Sequence, residues 1–349
     1  MNNIVDEGLA KLRIAVPKVV SKSMPQFYNP VMATNRWINI ILLRALDRKG
    51  LQVALPLSGT GIRGIRFLKE LPKSMFKSIA FNDHNPKFKK SLKQTFKLNK
   101  ISISKKISIT SDDANLFLLN SKGFDYIDID PFGSPNMFLD SAIRRIARDG
   151  ILAVTTTDTS ALTGAFRNAC RRKYWAEPLH TFLMHEFAAR ILGRKVQLIG
   201  AQYDKAMIPV FTHSTDHYIR IYFECHKGKK KVDEMLKLHK MYEQKGPIWT
   251  GQLWDKKLAA NMNELVHVKS EFHRLINTIH QESRLEFPFF HDIHKLCKKH
   301  RFMIPGYDSI LKTIKKKKHK ACRTHFSDKG LKSTITEKEL VKILESLQN

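Results

Sequence analysis

The feature that most constrains the fold of this chain is a glycine-rich segment, Gly59-Thr60-Gly61-Ile62-Arg63-Gly64, which fits the pattern G-x-G-x-x-G. It follows the apolar run of residues 51–57 and precedes a segment with a helical pattern, so it joins a strand to a helix. Glycines at such a junction let the backbone turn tightly and approach a nucleotide at the end of a parallel strand. The segment therefore predicts an α/β protein with a nucleotide site, and a glycine turn without a ligand is the alternative.

Strand-like and helix-like segments continue to alternate after this turn. Apolar runs predict further strands at residues 78–82, 107–110, 124–129, 151–156, 196–201 and 218–223. Helical spacing predicts helices at residues 86–98, from Ser134-Pro135 to a capping Gly150, and over residues 179–192 with Gly193 as the end. Strands separated by helical crossovers predict a doubly wound α/β sheet.

The charge of the chain indicates its partners. Lys and Arg number 61 against 32 Asp and Glu, which gives a net charge of +29 over 349 residues. Such a field attracts polyanions, either nucleic acid or an anionic membrane surface. The sequence has no apolar stretch of the ~18 residues that a membrane span needs, and its N-terminal residues lack a signal-peptide pattern. We therefore expect a cytoplasmic, nucleic-acid-binding protein with no membrane partner and no obligate protein partner, compatible with a monomer.

The cysteines and the C-terminal composition bear on domain organisation. The four cysteines are isolated and form no C-x-x-C pair: Cys170, Cys225, Cys297 and Cys322. This spacing predicts reduced thiols, with neither a zinc site nor a disulfide framework. Lysine-rich segments predominate after His226, so we expect residues 1–226 to form the α/β domain and residues 227–349 a smaller C-terminal domain.

Two acidic residues follow predicted strands at the same edge of the sheet. Asp83 ends the strand after the glycine turn, where a carboxylate can accept hydrogen bonds from both hydroxyls of a ribose. Asp113-Ala114 follows the next strand and can flank an adenine. Asp83 could instead cap the following helix. These residues fit a nicotinamide or flavin dinucleotide as well as S-adenosylmethionine, so they do not identify the cofactor.

The fourth strand of this series ends in a more discriminating motif, Asp128-Ile129-Asp130-Pro131-Phe132-Gly133. An Asp-Pro-aromatic turn at this position suits methylation of an exocyclic amine, because a carboxylate that accepts the N–H localises the nitrogen lone pair and can take the proton. Proline fixes the turn that aims Asp130, and Phe132 can stack on the base. The alternative is a helix-capping role for Asp130. Asp128, within the strand, is expected to support the site and not to catalyse.

Together with further segments, these motifs resemble the tRNA (guanine-N2-)-dimethyltransferase family of archaeal type, commonly called Trm1. The resemblance covers essentially the whole chain, and the block at residues 127–135 is highly specific. The segments that carry it are Phe27-Tyr28-Asn29-Pro30, Asn35-Arg36, residues 58–66, Asn82-Asp83, Asp113-Ala114-Asn115, residues 127–135, residues 155–159, Cys170-Arg171-Arg172, residues 184–186, residues 246–251 and residues 323–326.

The resemblance implies a Rossmann-like class I methyltransferase sheet with a smaller α+β C-terminal domain. It implies transfer of one or two methyl groups from S-adenosylmethionine to N2 of guanosine 26 in tRNA. Asp130 would accept the proton, and the flipped guanine would stack on Phe132 and Phe27. The residues implied to bind the cofactor are Arg36, Ser58, Gly59, Gly61, Arg63 or Arg66, Asp83, Asp113 and Ala114.

The chain departs from the family pattern in two places. Relatives carry an acid at the end of the first sheet strand, where this chain has Leu55-Pro56, so the ammonium of the cofactor needs another partner, such as Asp130 or backbone carbonyls. Many relatives also carry a four-cysteine zinc site in the C-terminal domain. Here a short lysine-rich link joins Cys225 to Gly246, so we predict that no metal is bound.

The implied target, guanosine 26, lies at a stem junction of the tRNA. Its base must therefore leave the stack, and the enzyme must hold the RNA backbone on either side. Two basic groups are candidates for these backbone contacts, although a solvated surface is the alternative for any lysine run: Arg167, Arg171, Arg172 and Lys173, and Lys315, Lys316, Lys317 and Lys318.

Three other functions remain open at this point. An adenine-N6 methyltransferase of DNA or RNA could use the same motif. A dinucleotide-dependent oxidoreductase would explain neither the Asp130 motif nor the charge. A non-catalytic nucleic-acid-binding protein on the same fold would leave the motifs without a role.

Overall fold

The computed structural model describes residues 3–14, 28–215, 217–268, 270 and 272–348. The chain divides into two compact units, each discontinuous in sequence. The first unit comprises Met1–Asp158, Val196–Ile208 and Arg220–Leu236, and the second comprises Thr159–Lys195, Pro209–Ile219 and Lys237–Asn349. This division differs from the single expected boundary at residue 226, because two segments before that residue belong to the second unit. That residues 227–349 fold as a separate domain stays a prediction.

The central sheet has seven strands and is preceded by an antiparallel hairpin of β1 (Asn3–Glu7) and β2 (Ala10–Ile14). The sheet strands are β3 (Leu51–Leu55), β4 (Phe76–Asn82), β5 (Ile107–Thr110), β6 (Phe124–Ile129), β7 (Ile146–Thr156), β8 (Lys205–Thr215) and β9 (Tyr218–Lys227). Their spatial order is β5-β4-β3-β6-β7-β9-β8. The pairs β3–β4, β3–β6, β4–β5 and β6–β7 are parallel, so the carboxyl ends of these five strands meet at one edge. The predicted doubly wound α/β sheet is confirmed.

Helix α1 (Ala33–Leu46) precedes β3, and four helices connect the five parallel strands: α2 (Ile62–Glu70), α3 (Phe88–Leu98), α4 (Ala114–Leu119) and α5 (Asn136–Arg145). The start of α2 depends on glycine. Gly61 has φ +79°, and a Cβ there would lie 2.3 Å from Cδ1 of Leu92. A Cβ on Gly64 would lie 2.2 Å from Cε1 of Phe81 in β4. The glycine segment therefore lets α2 pack directly on the sheet, at the position that the sequence predicted.

Two of the expected element boundaries are wrong. Gly150 does not cap α5, which ends at Arg145; it lies in β7, where a Cβ would approach the carbonyl oxygens of Ala147 and Asp125 to 3.0 Å. Residues 196–201 do not form a strand but the last part of α8 (Met184–Ala201), which continues through Gly193. A short apolar run fits a buried helix as well as a strand, and periodicity alone does not separate them.

The rest of the chain is α+β. Apart from β8 and β9, which lie between α8 and α9, its elements follow in the order α6 (Thr159–Leu162), α7 (Arg167–Tyr174), α8, α9 (Lys229–Leu236), β10 (His239–Tyr242), β11 (Lys245–Trp249), α10 (Lys256–Leu265), α11 (His273–Glu282), β12 (His291–Asp292), α12 (Ile293–His300), α13 (Tyr307–Lys316), β13 (Ala321–Thr324), β14 (Ser327–Ser333) and α14 (Glu337–Ser346). Strands β10 and β11 pair with each other, and β12, β14 and β13 form a three-stranded antiparallel sheet. Apolar residues of α12, α13, β14 and α14 form one core beside it. None of the helices in the described ranges is long and apolar enough to cross a membrane.

Candidate active site at the carboxyl edge of the sheet

The glycine turn after β3 is tied to the end of β4 by Asp83. Oδ2 of Asp83 accepts a hydrogen bond from the N–H of Gly59 at 2.7 Å, and Oδ1 accepts one from the N–H of Asn85 at 3.0 Å. Gly59 has φ +56°, a conformation that glycine adopts without strain. A carboxylate has about four acceptor positions, so these two bonds leave others for a ligand.

The buried Asn82 joins three strand ends at this edge. Its Nδ2 donates to the carbonyl of Pro56 at 3.1 Å and to the carbonyl of Asp112 at 2.9 Å, while its Oδ1 accepts from Oγ1 of Thr110 at 2.6 Å. These contacts hold the ends of β3, β4 and β5 in register. Asp113, the predicted adenine neighbour, caps α4 by accepting from the N–H groups of Asn115 and Leu116 at 2.9 and 3.1 Å.

A cavity of about 60 Å³ lies beside the glycine turn. Six of the predicted site residues line it: Arg36, Ser58, Gly59, Gly61, Arg63 and Asp130. The lining residues also include Asp128 and Tyr28. Within the described part of the chain, the other predicted residues lie outside this lining: Arg66, Asp83, Asp113, Ala114 and Phe132. Phe27, the second predicted stacking residue, lies outside the described residues.

Arg63 is the central cation of this cavity. It donates from Nη2 to Oδ2 of Asp130 and from Nη1 to Oδ1 of Asn35 at 2.8 Å, and its Nε lies 3.6 Å from Oδ2 of Asp128. The side chain of Asp130 is 19% exposed, so it remains accessible from the cavity side. The sequence left open whether Arg63 or Arg66 faces the cofactor, and of the two it is Arg63 that lines the cavity.

Beneath Asp130, the carboxylate of Asp128 is buried in a complete hydrogen-bond network. It accepts from Arg220 at 2.6 Å, from the hydroxyl of Tyr126 at 2.9 Å and from Nδ2 of Asn39 at 3.0 Å. Burial alone raises the pKa of Asp128, but the charges of Arg220 and Arg63 outweigh it and hold that pKa below its ordinary value. Asp128 is therefore ionised, and its role as a support for the site stays a prediction.

Sequence reasoning did not predict that Arg220 contacts Asp128. The guanidinium of Arg220 is fully buried and also donates to Oγ1 of Thr155 at 2.5 Å and to Oδ1 of Asn39 at 2.7 Å. Burial lowers the pKa of Arg220, but the charges of Asp128 and of the neighbouring acidic groups together outweigh this and raise it well above its ordinary value. The available sequence signal was an arginine in the apolar strand β9, because a buried arginine requires a carboxylate partner.

A second buried ion cluster, also missed, surrounds Glu7 of the hairpin. Its carboxylate accepts from Arg36 at 2.5 and 2.7 Å, from Arg66 at 3.1 Å and from the hydroxyl of Tyr28 at 3.0 Å. Burial raises the pKa of Glu7, but Arg36 and Arg66 outweigh it, so the pKa is below its ordinary value. Arg66 also donates to Glu70 at 2.8 and 2.9 Å. The structure therefore places Arg66 in an ion cluster, and Arg36 both in that cluster and at the cavity.

The turn after β6 is fixed to the end of β7. The N–H of Gly133 donates to Oγ1 of Thr157 at 2.7 Å, and the N–H of Thr157 donates to the carbonyl of Gly133 at 3.0 Å. Gly133 has φ +74°, which suits glycine at this turn. The side chain of Phe132 is 39% exposed. These bonds hold Asp130 at the cavity and present an aromatic ring two residues later.

The cysteines and the basic groups also have defined surroundings. All four cysteines are buried thiols outside any disulfide bond, and burial raises the pKa of Cys225 to about 11 and that of Cys322 to about 12. Within the described ranges, no group of three or more His, Cys, Asp or Glu residues could hold a metal ion.

In the second unit, Arg167 and Arg171 both donate to Glu177, and the lysines at residues 315–318 are exposed.

Comparison with known proteins places this site in a family. The family model "N2,N2-dimethylguanosine tRNA methyltransferase" matches residues 8–243 and 234–345. The chain is 36% identical to a tRNA (guanine(26)-N(2)/guanine(27)-N(2))-dimethyltransferase of Aquifex aeolicus, over 99% of this chain and 96% of that protein. It is 34% identical to a tRNA (guanine(26)-N(2))-dimethyltransferase of Methanocaldococcus jannaschii, over 98% of both.

The structural comparison agrees. Trm1 from Pyrococcus horikoshii, solved with S-adenosyl-L-methionine, superposes with a TM-score of 0.87 at 32% sequence identity, covering 98% of this chain and 99% of that one. The family model, the relatives and the fold thus agree over nearly the full length. The chain is a methyltransferase and belongs to the N2,N2-dimethylguanosine tRNA methyltransferase family.

Proposed function

We propose that this protein transfers one or two methyl groups from S-adenosylmethionine to the exocyclic N2 of guanosine 26 in tRNA. The observation that carries the proposal is the position of Asp130, which reaches a cavity formed by the glycine turn on a fold shared with Trm1. The names of the Aquifex and Methanocaldococcus relatives support guanine N2 of tRNA as the target. Action as a cytoplasmic monomer stays a prediction.

The residues of the glycine turn fit the cofactor, which supplies an electrophilic methyl group. Gly59 and Gly61 have positive φ, and no side chain stands between their backbone and the cavity they line. Asp83 retains acceptor positions for ribose hydroxyls beside its bonds to Gly59 and Asn85. Asp113 and Ala114 begin α4 at the neighbouring strand end, where we place the adenine.

The ammonium of the cofactor lacks the acid that relatives carry after the first sheet strand. Two carboxylates line the cavity, Asp128 and Asp130. Asp128 already accepts bonds from Arg220, Tyr126 and Asn39, and Asp130 is assigned below to the target amine, so the backbone carbonyls of the turn are the better candidates.

Asp130 is assigned as the proton acceptor. Its Oδ2 accepts from Arg63, and we assign Oδ1 to the N–H of the guanine amine. That hydrogen bond localises the nitrogen lone pair, which is otherwise delocalised into the ring, and the same carboxylate takes the proton as the methyl group moves. Phe132 stacks on one face of the guanine. Phe27 on the other face stays a prediction.

The basic groups are assigned to the tRNA backbone. Arg167 and Arg171 share one carboxylate, Glu177, so the group that they form with Arg172 and Lys173 keeps a net positive charge. Changing the four lysines at residues 315–318 to Gln should weaken binding to all tRNAs alike, because phosphate contacts carry no sequence information. Each lost contact should remove ~0.7–0.9 from the slope of log K against log salt. An unchanged slope would show that the run is only a solvated surface.

The experiment that tests the proposed function uses the full chain, labelled S-adenosylmethionine and bulk tRNA, followed by digestion and identification of the modified nucleosides. We expect N2-methylguanosine and N2,N2-dimethylguanosine, and a loss of both in a tRNA transcript with adenosine at position 26. Label retained in that transcript would place the reaction at another position, such as 27. Label in N6-methyladenosine, or no label in tRNA, would contradict the proposal.

A further inference from the structure

The second unit contains a large cavity that the methyltransferase site does not use. Its volume is about 590 Å³, within the ~300–1,000 Å³ range of ligand pockets. Five aromatic side chains line it: Phe182, Tyr242, Phe287, Phe289 and Phe290. All of the residues that line this cavity belong to the second unit, whereas Asp130 and the glycine turn belong to the first.

The aromatic side chains that line the cavity pack against one another. The ring centroids of Tyr242 and Phe289 are 4.6 Å apart in an edge-to-face contact, and those of Phe182 and Phe290 are 5.9 Å apart in the same geometry. On its other side, Phe289 stacks on Phe187 with an interplanar angle of 11°. Phe182 and Tyr242 are themselves only half-buried, so their rings are within reach of a ligand.

Phe289 is held in a backbone conformation that bulky residues rarely adopt. Its φ is +70°, and its N–H donates at 2.9 Å to Oε1 of the fully buried Glu186. Burial raises the pKa of Glu186, but Lys332 and Arg190 outweigh it, so the pKa is below its ordinary value and the acceptor is charged. Strain of this kind persists only where the surroundings impose it, and it is common at ligand sites.

Exposed lysines of the cavity can contact an anion. Lys240 and Lys295 line it and are exposed, and Nζ of Lys295 lies 4.7 Å from the ring centroid of Phe182. Two acidic residues also line the cavity, and both have partners: the carboxylate of Glu337 lies 3.6 Å from Nζ of Lys299, and Oδ1 of the buried Asp292 accepts from the N–H of Lys295 at 2.9 Å. Aromatic walls combined with lysines at the rim match a nucleobase linked to a phosphate.

We propose that this cavity binds an unpaired nucleotide of the tRNA, with its base against Phe182 and Tyr242 and its phosphate at Lys240 and Lys295. The inference rests on the proposed function, which supplies tRNA as the partner. It adds a second base-binding site to the protein, separate from the site of the target guanine at Asp130.

Phe182→Ala tests the stacking contact, with Phe182→Tyr as its matched control. Aromatic stacking on one base contributes enough that the alanine variant should bind tRNA about 5- to 150-fold more weakly at fixed salt, while the tyrosine variant binds like the wild type. Thermal unfolding of both variants shows whether the unit remains folded. Equal weakening by the two variants, or unchanged affinity in Phe182→Ala, would overturn the inference.

Lys295→Gln provides a second test that leaves the core intact, because this side chain is exposed. It should lower the slope of log K against log salt by ~0.7–0.9. Lys298→Gln, on the same helix α12 but outside the cavity lining, is the control and should leave the slope unchanged. The same change in both variants would mean that the helix contacts phosphates without the cavity, and would overturn the inference.

Methyl transfer by the wild type separates this inference from the proposed function. If the wild type forms N2-methylguanosine in tRNA while Phe182→Ala binds tRNA normally, the cavity inference is wrong and the proposed function stands. If the wild type forms no methylguanosine but Phe182→Ala, unlike Phe182→Tyr, loses affinity for tRNA, the proposed function is wrong and the cavity still binds RNA.

Discussion

The end of β6 carries two carboxylates with opposite surroundings. Asp128, in the strand, is 2% exposed at its side chain and bonded to Arg220, Tyr126 and Asn39. Asp130, just beyond the strand, is 19% exposed and bonded to Arg63. The comparison teaches that two carboxylates two residues apart can differ in burial and in partners, and we therefore expect Asp128 to support the frame and Asp130 to carry the chemistry.

The largest effect should come from removing the available carboxylate. Asp130→Ala and Asp130→Asn should lower the rate of methyl transfer by ~10²–10⁴-fold or abolish it, because the guanine amine loses its proton acceptor. Single-turnover transfer of labelled methyl groups to tRNA measures this. Binding of S-adenosylmethionine and tRNA should remain largely intact. A near-normal rate in Asp130→Ala would remove the distinction between the two carboxylates.

Substitution of Arg220, the buried partner of Asp128, should instead affect the stability of the protein. Arg220→Met leaves the Asp128 carboxylate buried without its main counter-charge, and loss of one partner of such a pair costs about 3–5 kcal/mol of unfolding free energy. Urea denaturation measures this cost. The double variant Arg220→Met with Asp128→Leu should regain part of it, since no unpaired charge is left. A loss below about 1 kcal/mol in the single variant would show that the network is not a support.

A third carboxylate at the same sheet edge sharpens the comparison. Asp83 bonds to two backbone N–H groups and retains acceptor positions, so it combines both roles. Asp83→Ala should weaken S-adenosylmethionine binding by roughly 1.5–3 kcal/mol, the contribution of charged hydrogen bonds. Calorimetry measures it, and Asp83→Asn, which can keep the bond to Gly59, separates loop support from charge. Unchanged affinity in both variants would move the ribose site elsewhere, with Asp113 as the next candidate.

The smallest expected effect is a change in how the unfolding free energy depends on pH in acid. The pKa of Asp128 is lowered in the folded protein because Arg220 and Arg63 outweigh burial. A carboxylate with a lowered folded pKa stabilises the protein above its unfolded pKa of ~3.9, and this contribution is lost as pH falls through the lower folded pKa. Unfolding free energy measured from pH 5 downwards should therefore fall less steeply in Asp128→Asn than in the wild type. Identical slopes would contradict this role of Asp128.

Sequence reasoning located the strands and turns that carry local patterns. Residues 107–110 form an edge strand and residues 124–129 a central strand with the predicted bounds, because both are short runs rich in β-branched or aromatic residues between turn residues. Residues 196–201 were assigned wrongly for the same reason, since such a run also fits the buried part of a helix. Gly150 fits the sequence pattern of a helix cap, but it lies in β7, where close backbone contacts favour a glycine.

The sequence by itself determined the glycine turn, the Asp130 turn and the strand ends that carry them, because each depends on residues adjacent in the chain. Only the tertiary structure decided that Arg63 lines the cavity while Arg66 pairs with Glu7, 59 residues away. It likewise brought Arg220 to Asp128 across 92 residues. Burying a charge requires a partner but does not specify where in the chain that partner lies, so the folded contacts decide which charges are paired and which remain available.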